Sequence, residues 1–561
     1  MASELDLDLS AAMDALTAPG GPLETTTLHR FGRDLPVLKG APPHLPALFD
    51  HYCAQHADLV YLVDGDLRLT FAQVHALARE AAIGLVARHG VQVSDRVGIA
   101  ARNSANWIIA YMAVLMAGGC ATLLNGWWTT EEMAGAIALS ECTLILADPP
   151  RAARIGGLEH SASVVVFEHG DPRLGLAPLM DAGTAELPPL GPDDLASILF
   201  TSGSTGQCKG AVSDHRGVVH GAMSYAAQTL MTYTYLANRG EAPTVQPCAL
   251  VAVPLFHVTG EVVLLLQSFI LGRKLVLMEK WDAAEAIRLI AAEHVTYFVG
   301  VPLMSFEIAR HPDRDRYDLS SCVTFAAGGA PRPVEHVHVI RDALPHAYPI
   351  LGYGLTETNG VGCGNFNQNY MDKPGSTGPA SRPLVEVAIL NDEGAHLPQG
   401  EVGEVAIRSI ANFTGYWRNA QATAAAVTSD GFFRTGDLGY LDRDGYLFIV
   451  DRKKDIIIRG GENIAASEVE AALYSHPGVA EASVFGLSDE RLGEVPVAVF
   501  VARPGAVLSA EDLREFLGTR LAPYKIPVRF WEETAKLPRL GTEKVDKRAL
   551  RARYAAQWTQ T

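Results

Sequence analysis

With 561 residues, 48% of them hydrophobic and 19% charged, the chain is too long for one small module and too apolar for a disordered one. Lys and Arg number 46 against 63 Asp and Glu, a formal charge of −17; such a surface repels a nucleic-acid backbone yet allows a local anion pocket. Seven cysteines without a C-x-x-C pair argue against a disulfide framework or zinc ribbon and for a reducing compartment.

The first residues, MASELDLDLS, open acidic and lack the basic and apolar regions of a secretory signal. From about residue 44, helical periodicity alternates with short apolar runs. Helices are predicted over Phe71–Val86 and Trp107–Met116, with strands at Arg96–Ala101, Ala121–Leu124, Thr143–Ala147, Ser163–Phe167 and Ala196–Thr201. Further strands are predicted at Leu250–Pro254, Tyr297–Val301 and Val323–Ala327. Val262–Leu271 is strongly apolar but only about half the roughly 20 residues of a spanning helix, so it is expected to be a buried core helix. The expected location is therefore cytoplasmic, without a transmembrane segment.

From Val385 the texture changes to closely spaced strands, indicating a β-rich subdomain at about 385–450. The charged stretch Asp451–Asp455 marks a further boundary. Beyond it come a helix at Ala466–Tyr474, strands at Ala482–Phe485 and Val495–Val501, and a helix at Ala510–Leu521. The predicted class is α/β: a large N-terminal domain of helix-covered sheets (1–453) and a small mobile α+β C-terminal domain (454–561).

The most informative segment is Leu199–Val212. An apolar strand runs into Thr201, Ser202, Gly203, Ser204, Thr205 and Gly206, followed by Lys209. Glycines free backbone N–H groups to converge, hydroxyls donate, and the ammonium supplies charge, which together suit a phosphate. Gly206 is separated from Lys209, so this is not a Walker A loop, and it lacks the third glycine of a dinucleotide fingerprint.

Further motifs follow: Pro254-Leu255-Phe256-His257, Gly328-Gly329-Ala330-Pro331, Tyr353-Gly354-Leu355-Thr356-Glu357-Thr358, Thr435-Gly436-Asp437-Leu438, Asp451-Arg452-Lys453-Lys454-Asp455, Gly460-Gly461-Glu462-Asn463 and a late Lys544. In this order, over about residues 45–555, the chain resembles the adenylate-forming (ANL) superfamily, and within it acyl-CoA synthetases and fatty-acid–CoA ligases. The resemblance implies two steps: a carboxylate and ATP give acyl-AMP and pyrophosphate, then a thiol takes the acyl group.

It also implies roles. Thr201 to Gly206 and Lys209 would hold phosphates, Tyr353 and Gly354 with Gly328 to Pro331 would meet adenine, and Asp437 and Arg452 would contact ribose. Thr356 offers a hydroxyl to the α-phosphate, and Glu357 a hard oxygen ligand for Mg²⁺. Lys544 is matched to the lysine that reaches the α-phosphate and the substrate carboxylate. His257 would gate an acyl pocket formed with Val258, Gly300, Gly329, Gly352 and Gly354. Lys454 is matched to a hinge, and Gly460, Gly461 and Glu462 to the CoA arm. The expected partners are a carboxylic acid, ATP and CoA, with a homodimer left open.

An amino-acid-activating domain is disfavoured, because no acidic residue follows Phe256 until Glu261 and no carrier domain follows before Thr561. A luciferase-like oxygenase would share these motifs. A non-catalytic nucleotide-binding module is disfavoured, because Lys544, Glu357 and Lys209 are all present. His336 and His338, two apart, cannot share a helix face and are read as structural rather than metal-binding. No G-x-S-x-G surrounds a serine. One departure stands out: the chain reads Gly541-Thr542-Glu543-Lys544 where the family has Thr-Gly-Lys, placing a carboxylate beside the amine.

Overall fold

A computed structural model describes residues 3–180, 183–202, 208–540 and 544–558. Two large sheets form the N-terminal part. In the first, five parallel strands (Leu195–Ser202, Cys120–Leu123, Arg96–Ala100, Leu144–Ala147, Ser163–Val166) are extended by antiparallel Cys208–Asp214 and Gly415–Tyr416. The second has eight strands, with Tyr348–Gly354, Thr324–Ala327, Tyr297–Gly300, Cys248–Val251, Lys274–Leu277 and Val60–Asp64 parallel, and antiparallel strands at both edges. Parallel strands buried on both faces must be apolar throughout, which is how these runs read.

One core joins the sheets. Helix Ala105–Met116 is buried along its whole length, which explains why its sequence is apolar all round rather than amphipathic. It starts two residues before the expected Trp107, because the Ser104 side chain accepts from the Trp107 N–H and sets the N-cap. Phe71–Ala87 begins at a Thr70–Gln73 capping box and matches expectation. The apolar Val262–Leu271 run is a buried helix, as expected, but Thr259–Leu266 is wound as a π-helix. Among the described residues no helix is long and apolar enough to cross a membrane.

The β-rich region is a four-stranded antiparallel sheet, Val385–Leu390, Gly403–Ser409, Phe433–Leu441 and Leu447–Arg452. Beyond Arg452 a five-stranded sheet and the helices Ala466–Tyr474 and Ala510–Gly518 enclose a separate cluster around Ile464, Val469, Val484 and Leu513. The two strands expected here are longer, Val479–Asp489 and Gly493–Ala502. They form one hairpin, with Asp489 accepting from the Arg491 and Leu492 N–H groups and Gly493 at φ +80°. The second helix ends at Gly518, short of the expected Leu521.

The N-terminal helix Glu4–Thr17 was not legible in the sequence; it has a Ser3–Asp6 capping box but a weak apolar stripe. His336 and His338 lie on helix Val334–Ala343: the first is buried and stacked on Phe306 at 4.0 Å, the second is exposed. No group of three or more metal-binding side chains occurs among the described residues.

Candidate active site

Most of the described segments singled out by motif, the Gly460–Asn463 segment excepted, border one cavity of about 2790 Å³, between the two large sheets, the four-stranded sheet and the C-terminal unit. Leu195–Ser202 and Cys208–Asp214 form a hairpin in which Thr201 faces Lys209 across the ladder. Gly203, Ser204, Thr205 and Gly206 lie outside the described residues, as does the Ser202 side chain. Their flanks Thr201 and Lys209 both border the cavity.

The Lys209 ammonium sits 4.7 Å over the Tyr416 ring, and the Tyr416 hydroxyl donates to Glu357 Oε1 at 2.8 Å. Glu357 is buried, and burial pushes its carboxyl above the ordinary range while the Tyr416 hydrogen bond pulls it back. The Phe413 N–H holds the Glu357 carbonyl at 2.8 Å, so the residue is positioned from both main chain and side chain. Tyr416 escaped sequence reasoning. It lies on a two-residue edge strand, and only pairing with Ala211 and Val212 brings it beside the Thr201–Lys209 hairpin.

A second cluster surrounds Asp437. It faces Arg452 directly across an antiparallel pair, with Arg452 Nε 3.2 Å from Asp437 Oδ1, and the Tyr353 hydroxyl donates to Asp437 Oδ2 at 2.7 Å. Burial raises the Asp437 carboxyl, opposed by Arg452, Tyr353 and Lys544. The Tyr353 hydroxyl is thus already engaged by Asp437.

Lys544 arrives from the C-terminal unit. A Cβ on Gly329 would lie 3.4 Å from its Cε and 3.5 Å from its Nζ, and Gly329 has φ +75°, a left-handed conformation that favours glycine. Burial first, then Arg452, with Asp437 opposing, lowers the Lys544 amine to about 8. Glu543 lies outside the described residues.

His257 borders the same space. Burial first, then Lys544, lowers its imidazole to about 3, so the ring is neutral, and its Nδ1 accepts from the Thr259 N–H at 3.3 Å. Gly260 makes this turn possible, because a Cβ there would overlap the Pro254 carbonyl.

Of the glycines expected to open the acyl pocket, Gly352 does face open space: the nearest atom to a Cβ would be the Tyr225 hydroxyl at 4.0 Å. Gly354 borders the cavity, but its missing side chain serves backbone packing, since a Cβ would overlap the Gly360 carbonyl. Gly300 does not border the cavity: a Cβ would meet Met304 Sδ at 2.8 Å, so this glycine answers to packing. Beyond Val258 the cavity is walled by helix His215–Asn238, through Tyr225, Thr229 and Tyr233, and these were missed. Their signal, a helical face opposite the buried one, cannot be told from a solvent face before the sheets are in place.

Thr356, Ala330, Pro331 and Lys454 border the cavity. Gly460, Gly461 and Glu462 do not. They form an exposed hairpin turn, both glycines at positive φ, away from the cavity.

A hairpin carrying a lysine, a buried carboxylate, an Asp–Arg–Tyr cluster and a second lysine delivered by a separate unit thus border one cavity. Residues 49–417 match the family described as AMP-binding enzyme, and residues 468–544 match the AMP-binding enzyme C-terminal domain. The chain belongs to this AMP-binding enzyme family. It is 34% identical to a feruloyl-CoA synthase of an Amycolatopsis species over 87% of this chain and 95% of that one. It is 33% identical to a long-chain-fatty-acid–CoA ligase of Mycobacterium tuberculosis over 88% and 94%. The structure of ATP-bound MatB from Rhodopseudomonas palustris superposes with a TM-score of 0.80 at 28% identity, covering 91% of this chain and 99% of that one. The adenylate-forming resemblance read from the motifs is thus borne out, as is the α/β class.

Proposed function

We propose that the protein activates a hydrophobic carboxylic acid with ATP to acyl-AMP, releasing pyrophosphate, and transfers the acyl group to CoA. The observation that carries this reading is Lys544, half-buried against Gly329 in the cavity that also holds Glu357, Asp437 and the Thr201–Lys209 hairpin. Relatives named as CoA ligases support CoA as the acceptor.

In the first step a carboxylate oxygen attacks the α-phosphorus and the bond to the pyrophosphate oxygen breaks. The chain's work is positioning and charge neutralisation. Lys209 and the hydroxyls near it hold the departing phosphates, and Thr356 and Lys544 meet the α-phosphate. Asp437 accepts from ribose hydroxyls with Arg452 beside it, while the Gly328–Pro331 backbone lies along adenine. His257, being neutral, borders the acid as a gate and takes no proton.

The donor set fits Mg²⁺, since one buried carboxylate plus phosphate oxygens is the usual way that ion is held. Glu357 would hold it. When bound, it neutralises phosphate charge.

In the second step the CoA sulfur attacks the acyl carbon and AMP leaves. We assign Lys454 as the hinge on which the C-terminal unit turns, withdrawing Lys544 and bringing the Gly460–Glu462 turn to the CoA arm. The present arrangement, Lys544 inside and that turn outside, suits the first step.

The test is incubation with ATP, Mg²⁺, CoA and a panel of hydrophobic acids. Acid-dependent ATP–pyrophosphate exchange and acyl-CoA with AMP are expected; transfer to a carrier protein with none to free CoA overturns the CoA assignment. A pH profile adds a sharper check. The amine must be charged to work, so kcat/KM for adenylation should fall as pH rises through about 8, the value burial gives Lys544. Lys544→Arg, always cationic, should remove that fall even if its absolute rate is lower.

A further inference from the structure

The far end of the acyl cavity holds a buried cation that the adenylation chemistry does not use. Arg273 is only 2% exposed, borders the cavity, and lies just before strand Lys274–Leu277. Its Nη1 donates to Gln267 Oε1 at 3.0 Å, and its guanidinium lies 4.6 Å from the Tyr297 ring centre. Among the described residues no carboxylate pairs with it, and its Nε has no hydrogen-bond partner. The neighbouring Glu293 is taken by Lys274 at 3.0 Å and Arg68 at 2.6 Å.

A buried guanidinium facing only a neutral amide and a ring leaves much of its desolvation cost uncompensated. It is also held in place. Gln267 Nε2 donates to the Tyr225 carbonyl at 2.9 Å and to Thr229 Oγ1 at 2.8 Å, which turns its oxygen toward Arg273. Tyr297 begins the strand that ends at Gly300, whose carbonyl accepts from the Gly328 N–H at 3.2 Å. Three residues at about 3.3 Å each put the Tyr297 backbone, whose ring the Arg273 guanidinium lies against, roughly 10 Å along the strand from the Gly300–Gly328 contact beside the turn where Lys544 enters.

We propose that Arg273 is a specificity-determining residue: it receives an oxygen acceptor, with a second carboxylate as the best match, at the end of the acid remote from the reacting carboxylate. The inference rests on the acid-activating reading above and narrows its substrate from a plain hydrophobic acid to one with a polar far end. A carbonyl oxygen shares the same chemistry with less charge. Gln267, Thr229 and Tyr297 are positioning and lining groups around it.

The experiment uses the full chain and a length series of unbranched acids, each ending in methyl, carbonyl or carboxylate, with acid-dependent ATP–pyrophosphate exchange as the readout. At the best length the wild type should favour an oxygen-ended acid over its methyl-ended counterpart by roughly 10- to 100-fold in kcat/KM, the size of one charge-assisted hydrogen bond. The carboxylate and carbonyl arms tell the two sources apart. Arg273→Met should lose or reverse that preference, chiefly through KM, and Arg273→Lys should keep part of it. A wild type that prefers methyl-ended acids at every length overturns the proposal, and does so even if Arg273→Met fails to fold. So does an Arg273→Met enzyme slowed by the same factor on every acid, which is what a purely structural residue would give. No exchange with any acid is a different failure, that of the acid-activating reading itself.

Discussion

Lys544→Ala is expected to lower acyl-AMP formation from acid and ATP by roughly 10²–10³, the cost of removing one preorganised charge contact, while converting supplied acyl-AMP and CoA to thioester at a near-normal rate. The asymmetry follows from place. Lys544 reaches the cavity from the C-terminal unit, packs against Gly329 and lies within the field of Asp437 and Arg452. Its amine is desolvated there, so it exerts its full charge on a developing phosphate charge. The second step, in the reading above, uses a turned C-terminal unit from which this side chain has left. Measuring both half-reactions on one folded preparation decides the matter: equal losses would mean that Lys544 serves both steps or secures the domain.

Glu357→Gln should slow adenylation by a similar roughly 10²–10³ and raise the Mg²⁺ concentration needed for half-maximal rate. The substitution keeps the shape and removes the charge. Tyr416→Phe removes only one hydrogen bond to Glu357, about 1 kcal/mol, so its loss should be near tenfold or less. Burial raises the Glu357 carboxyl, so protonation there sets in at higher pH than for an exposed glutamate. A magnesium titration and rate unchanged by Glu357→Gln would remove this residue from the site.

The sequence by itself determined most of the buried parallel strands and the order of the chemical groups, though not the N-terminal helix Glu4–Thr17. Runs such as Tyr297–Gly300 and Thr324–Ala327 are apolar because both faces are covered, and that requirement is local enough to read from composition. The adenylate-forming motifs carry their order and residue types along the chain. Gly329, Asp437, Arg452 and Lys544 could be named before any fold was known because the order of motifs in which they stand resembles that of the adenylate-forming superfamily.

Only the tertiary structure decided what each glycine is for. Gly352 opens space, whereas Gly300 makes room for Met304 and Gly354 for the Gly360 carbonyl; the three are identical in sequence and differ only in what stands opposite. It also decided the partners that chain separation hides. Tyr416 reaches Glu357 across 59 residues, and the Arg273–Gln267–Thr229 chain joins a helix to a strand edge. Hydrogen bonds and buried charges depend on distances of a few ångströms, and periodicity along a chain carries no record of which distant face will close over it.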